Sequence, residues 1–114
     1  MIKLSIMMVR KSGLTHEQFS EHWRTTHLKA AKASPSARKY MRRYYQNHLT
    51  DDTLPDIPPS KFDGIAEVWF DSLDDVKAFF ASPDYLETLK PDEDNFIDGE
   101  KSEMVITRDV VVFE

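Results

Sequence analysis

The side chains best suited to chemistry lie in two stretches, THEQFSEHWRTTHLKAA (Thr15 to Ala31) and RKYMRRYYQNHL (Arg38 to Leu49). The first carries His22 and His27, the second Tyr40, Arg42, Tyr44 and His48. An imidazole exchanges protons near neutral pH and serves as general base or acid. Phenols and a guanidinium beside it can hold a developing enolate or a carboxylate. On a straight α-helix the five steps from His22 to His27 turn the chain by about 500°, leaving the rings about 140° apart. That angle and the lack of HExxH argue against a shared metal ion. His22 then reads as a boundary residue held by nearby backbone, and His27 as the ring that other polar groups can reach. Tyr40, Tyr44 and His48 would be those groups, with His27, Tyr40 and His48 as candidate catalytic residues. The plainer alternative makes the two tyrosines core residues with hydroxyls at the rim, and His48 a strand end.

Other sites find less support. The acidic run Asp92, Glu93, Asp94 and Asp98 lacks the alternation and closing Glu of a calcium loop. No Ser sits in a nucleophile elbow, no Gly-rich phosphate loop is present, and the chain has no cysteine. The basic cluster Arg38, Lys39, Arg42 and Arg43 interleaves with tyrosines, but a net charge of −5 and Glu67 beside Trp69 argue against a nucleic-acid platform. No metal and no cofactor is called for.

These residues need a scaffold. The 114 residues are expected to form one domain spanning 1–114. The apolar run Ile2–Arg10 predicts a buried strand, too short to cross a membrane and a poor signal peptide. A cytoplasmic protein without membrane contact is the expectation. Thr15 with Gln18 makes a capping box for the first helix, whose inner stripe would be Phe19, Trp23, Thr26 and Ala30. Ser34-Pro35-Ser36 ends it, and Arg38 to Leu49 alternates as a second strand with Tyr40, Arg42, Tyr44, Gln46 and His48 on one face. Residues 50–61 hold three prolines and read as a long exposed loop. Phe62 to Asp71 is a third strand with an apolar face (Phe62, Gly64, Ala66, Val68, Phe70) and a mixed face (Asp63, Ile65, Glu67, Trp69). A second helix begins at Ser72 and turns Leu73, Val76, Phe79 and Phe80 inward. A short helix Pro83 to Leu89, an acidic connection Lys90 to Gly99 and a last strand Glu103 to Phe113 complete the chain. This βαββαβ order, with its extra short helix before the last strand, is the α+β ferredoxin-like plan: a four-stranded antiparallel sheet with helices on one face. The bare face invites a second copy, giving a homodimer through the sheet.

GLTHEQFSEHWRTTHLKAAK, RYYQNHL, DGIAEVWFDSLDDVKAFFASP and DEDNFID together resemble the EthD-like family of the dimeric α+β barrel superfamily. The resemblance covers nearly the whole chain. It implies a homodimer forming a dimeric α/β barrel, with a pocket between sheet and helices in each subunit. Relatives include cofactor-free dehydratases and cyclases of aromatic polyketides, a methylmuconolactone isomerase and accessory proteins. The isomerase has a helix histidine and a strand tyrosine at its site, which correspond by spacing to His27 and Tyr40. Its third-strand cysteine corresponds to Val68. The expectation is a cofactor-free lyase or isomerase acting on a cyclic, phenolic or lactone-like small molecule. His22, Trp23, Arg42, Tyr44, Val68, Phe70 and Phe79 would line the substrate. The alternatives are a non-catalytic binding or accessory protein, or a cofactor-independent monooxygenase.

Overall fold

A computed structural model describes residues 1–114. Four strands, β1 (Ile2–Arg10), β2 (Met41–His48), β3 (Gly64–Phe70) and β4 (Ile97–Thr107), form one antiparallel sheet in the order β2-β3-β1-β4. The helices pack on one face of it. They are α1 (His16–His22), continued by a π-helical segment (Trp23–His27) into α2 (Leu28–Ala33), then α3 (Pro35–Tyr40), α4 (Leu73–Phe80), and a second π-helical segment (Tyr85–Leu89) running into α5 (Lys90–Phe96). This is the expected ferredoxin-like α+β fold. No helix is long and apolar enough to cross a membrane.

Alternation sets which strand residues meet the helices. Ile2, Leu4 and Met8 of β1 and Ala66, Val68 and Phe70 of β3 are buried, and they pack with Phe19, Trp23, Val76, Phe79, Leu89 and Phe96 from the helices. The apolar face foreseen for the third strand is this one. Its other face is partly closed within the chain. The Trp69 indole donates to Asp109 Oδ2 at 2.7 Å and lies under the Arg43 guanidinium, so Trp69 is buried while Ile65 stays exposed.

Several boundaries differ from expectation; β3, expected from Phe62 to Asp71, is Gly64–Phe70. Tyr40 ends α3 rather than sitting in a strand. Ser34 Oγ accepts from Ala37 N and Pro35 takes the first position, an N-cap signature that places a short helix before β2. The strand therefore starts at Met41, and a register shift between Met41 and Arg43 sets Arg42 outside the alternation. Lys90 to Phe96 is helical and not a connection: the turn begun at Pro83 runs on through the π segment, whose last bond is Lys90 N to Tyr85 O, and Pro91, which has no N–H to give, stands where that segment passes into α5. The last strand begins at Ile97 and stops at Thr107. Beyond it Asp109 is tied to Trp69 and to Lys3, and Val110–Phe113 lies exposed outside the sheet.

Candidate functional site

The first π segment decides the site. Its hydrogen bonds run from i to i+5, with Leu28 N donating to Trp23 O, so residues five apart come to the same side. His22 and His27 are five apart, and both reach Asp92 on α5. His22 Nε2 donates to Asp92 Oδ1 and His27 Nδ1 to Oδ2, each at 2.8 Å. The angle expected from a regular helix does not hold here. The wider turn also replaces Thr26, which is exposed, by His27, which is buried, on the inner stripe. π-Bulges of this kind recur at functional sites.

Several contacts hold the segment in place. The capping box at Thr15 is formed as expected. The Trp23 carbonyl also accepts from Gln46 Nε2 at 2.9 Å, and the Trp23 indole donates to Tyr44 Oη at 3.2 Å. Gly64 makes room for that indole, since a Cβ there would come within 2.6 Å of Trp23 Cζ3. Phe96 packs beneath both histidines, with ring centroids 4.7 Å from His22 and 5.1 Å from His27.

Below His27 is a cavity of about 300 Å³ between the helices and the sheet. A narrower recess of about 50 Å³ extends it toward the core. Both are lined by Ile6, His27, Tyr44, Ala66, Phe80 and Glu93. Trp23, Tyr85 and Met104 close the larger part, and Val68, Phe70 and Phe79 the recess. With Nδ1 committed to Asp92, the opposite edge of the His27 ring, bearing Nε2, is left to the cavity. A mostly apolar hollow with a few convergent polar groups is the usual form of a small-molecule pocket.

Charge states follow from burial. Desolvation pulls the His27 imidazole below its usual titration range, against the opposing pull of Asp92. At neutral pH it is a neutral base with its proton on Nδ1. Burial works to raise the Asp92 carboxyl, but the hydrogen bonds from His27 and His22 outweigh it and hold the group low, as an anion. Glu93, the next residue, behaves in the opposite sense. Burial pushes its carboxyl up to about 7, and Tyr85 Oη donates to its Oε1 at 2.9 Å. Burial also raises the Tyr44 phenol, which therefore keeps its proton. Because the Trp23 N–H already donates to Tyr44 Oη, the phenolic hydrogen is available to the cavity.

The expected site residues divide into two groups. His27, Trp23, Tyr44, Val68, Phe70 and Phe79 line the cavity or its recess; His22 does not line it and is linked to His27 through Asp92. Tyr40, His48 and Arg42 do not join it. Tyr40 packs on the core from the end of α3, with Lys39 Nζ 5.1 Å from its ring centre. Arg42, displaced by the register shift, pairs with Asp71 at 2.8 Å at the surface. His48 packs on Trp23 with ring centroids 4.5 Å apart and bonds Gln46 at 2.9 Å, facing the outer groove beside α1. Asp92, Glu93 and Tyr85 were not foreseen as site residues. The signal available for them was the acidic pair standing beside the buried Phe96.

Comparison with known proteins agrees with this architecture. The family described as "EthD domain" matches residues 11–100. The chain is 28% identical over 116 residues to a dehydratase, aurZ, of Gibberella zeae, covering 93% of this chain and 75% of that protein. It is 27% identical over 82 residues to a 4-carboxymethyl-4-methylbutenolide mutase of Pseudomonas reinekei, covering 72% of this chain and 76% of the other. Among solved structures, an EthD family protein of Bacillus halodurans superposes with a TM-score of 0.71 at 17% identity, covering 96% of this chain and 99% of that one. A protein of unknown function from Bacteroides fragilis, described as dimeric and ferredoxin-like, superposes with a TM-score of 0.65 at 15% identity, covering 92% of each.

Proposed function

Because this chain belongs to the EthD domain family, we propose that it is a small-molecule lyase or isomerase in which His27 moves a proton to and from carbon without a bound cofactor. The observation that carries the reading is the Asp92–His27 pair at the cavity wall: a buried, neutral imidazole, fixed by a carboxylate on Nδ1, with its other edge on a hollow of about 300 Å³. Such a pair is the orienting half of a general-base arrangement. Asp92 fixes the tautomer and stabilises the imidazolium once the proton has been taken. Tyr44, in the place expected for Tyr40, donates to the oxygen of the enolate that forms. Trp23, Phe70, Phe79 and Val68 give the apolar wall that a cyclic, phenolic or lactone-like substrate requires. The names of the two relatives, a dehydratase and a butenolide mutase, are consistent with proton transfer at carbon next to a carbonyl.

We further propose a homodimer through the outer sheet face, where Ile65, Tyr45 and Val105 are exposed beside the ion pair of Lys3 and Glu67. The solved structure described as dimeric supports this assembly.

The test of the activity is metabolite consumption. Wild-type protein and His27→Ala are incubated with a small-molecule extract of the native host and compared by mass spectrometry. The expected result is a compound consumed by the wild type and spared by H27A, with a loss on the order of 10²-fold or more. Consumption at equal rates by both proteins, or by neither, refutes the reading.

A further inference from the structure

Glu93 is a partly buried carboxyl that no cation pairs with: Lys90, which also lines the cavity, is bonded to Asp94 instead. The chain places it there for a reason that follows from helix geometry. Asp92 and Glu93 are neighbours on α5, so their side chains diverge by about 100°. Asp92 reaches the two histidines, while Glu93 turns to the hollow that His27 also lines. Tyr85 occupies one of its oxygens, Oε1, and no side chain of the protein bonds Oε2. The groups around it are Tyr85, Lys90, Asp92 and Asp94 along its own helical stretch, His27 from the segment after α1, Tyr44 from β2 and Glu103 at the β4 rim.

We infer that Glu93 is the acid that protonates a leaving hydroxyl while His27 takes the proton from carbon, so that the site acts on β-hydroxy carbonyl compounds and releases water. The inference rests on the reading of His27 as the base. In the step, His27 Nε2 removes the proton on the carbon next to the carbonyl and the C–H electron pair becomes the new C=C bond. The β-carbon–oxygen bond breaks, and its electron pair stays on oxygen, which accepts the Glu93 proton and departs as water. The products are the unsaturated carbonyl compound, water, an imidazolium and a carboxylate. Return of one proton from His27 to Glu93, directly or through solvent, resets the site with no other reactant. The opposed charge states fit this division of labour. Burial leaves His27 neutral and able to accept, and Glu93, held up to about 7, able to donate. A simple isomerisation, with one base removing and returning the same proton, would not need the second group.

The experiment compares two probes: the aldol of benzaldehyde with acetone, whose leaving group is hydroxide, and its acetate ester, whose leaving group departs without a proton. Both give benzalacetone, read by its ultraviolet absorbance. Glu93→Gln keeps an acceptor for Tyr85 but has no proton to give. The expected loss is on the order of 10²-fold on the alcohol and within a few-fold of wild type on the ester. His27→Ala loses both. Equal loss by E93Q on both probes, no loss on either, or no elimination of the alcohol by wild type overturns the inference. Retained elimination by H27A overturns the base reading instead, and so separates the two. A second measurement uses wild type alone. Glu93 is the carboxyl that its surroundings push up, whereas Asp63, Asp71, Asp84, Asp92 and Asp109 are all held low. Infrared spectra of protein with labelled glutamate are expected to retain a protonated carboxyl band that titrates near neutrality. Its absence at slightly acid pH overturns the inference whether or not E93Q folds.

Discussion

Replacing Asp92 by Asn probes the arrangement without a substrate. In the wild type both carboxylate oxygens accept from imidazole N–H groups at 2.8 Å. An amide of the same shape has one oxygen. Its NH₂ group must face the second ring, where two donors would meet. The ring that loses its acceptor relieves the conflict by moving its proton to the other nitrogen. For His27 this puts N–H on the cavity edge and removes the base. A wrong tautomer of this kind costs catalysis about 10²- to 10⁴-fold. A hydrogen bond to a charged group is worth about 1.5–3 kcal/mol and one between neutral groups about 1 kcal/mol; after the tautomer change both bonds are kept as neutral ones, so folding should weaken by about 2 kcal/mol. In a domain of this size that lowers Tm by ~8 °C. Asp92 raises the His27 pKa against burial, so D92N should make His27 titrate lower still. The assay is nitrogen-15 NMR of the histidine rings across a pH titration. The expected wild-type spectrum has His27 neutral at pH 7 with its proton on Nδ1; D92N moves the proton of one of the two rings to its other nitrogen and makes His27 titrate lower. A wild-type His27 protonated on Nε2, or a D92N protein in which both rings keep their tautomers and His27 its titration, is the contrary result.

Other perturbations test the surroundings. Glu93 titrates higher in the folded chain, up to about 7 from an ordinary value of 4.5, so the folded state binds the extra proton between those values. Wild-type stability should therefore fall as pH rises through that window, and Glu93→Gln should remove the fall. The two stability curves, measured by urea unfolding, should diverge by about 3 kcal/mol at most between acid and neutral pH. His27, titrating lower in the folded chain, acts in the opposite sense. Its contribution is present above about 6.5 and lost as the solution is acidified below that, so H27A should flatten the acid side of the curve. Gly64→Ala puts a methyl group against Trp23 and should cost about 1–3 kcal/mol in denaturant unfolding, with weakened Trp23–Tyr44 contact visible as a shift in tryptophan fluorescence. Light scattering at micromolar concentration should give twice the chain mass, and a monomer would overturn the sheet-to-sheet dimer.

Much of the fold is written in local signals. The capping box of Thr15 and Gln18, the strand pattern of Ile2–Arg10 and the alternation that buries Ala66, Val68 and Phe70 all act within a few residues. Ser34-Pro35 carries the same cap-and-proline signature as Ser82-Pro83, yet the tyrosine-rich run after it reads as strand, so α3 and the position of Tyr40 are legible only when the cap is given more weight than β propensity. The site depends on two features without a sequence signature. A π segment does not announce itself in residue types, and a regular turn places His22 and His27 apart when the observed one brings them to Asp92. The register shift at Arg42 follows from how β2 pairs with β3, not from β2 alone. Asp92 and Glu93 read from sequence as part of an acidic connection because four acids stand close together. Which of them turn inward is decided by the helix that carries them and by Phe96, which anchors it.

Every role proposed for the site depends on His27 removing a proton from carbon next to a carbonyl. Hydrogen–deuterium exchange at the acidic carbon of β-tetralone in deuterated buffer, followed by NMR, tests it before any natural substrate is known. The predicted result is exchange well above the buffer rate with wild-type protein, and a return to the buffer rate with H27A of unchanged circular dichroism. Exchange by H27A at the wild-type rate, or wild-type exchange no faster than buffer, would contradict it.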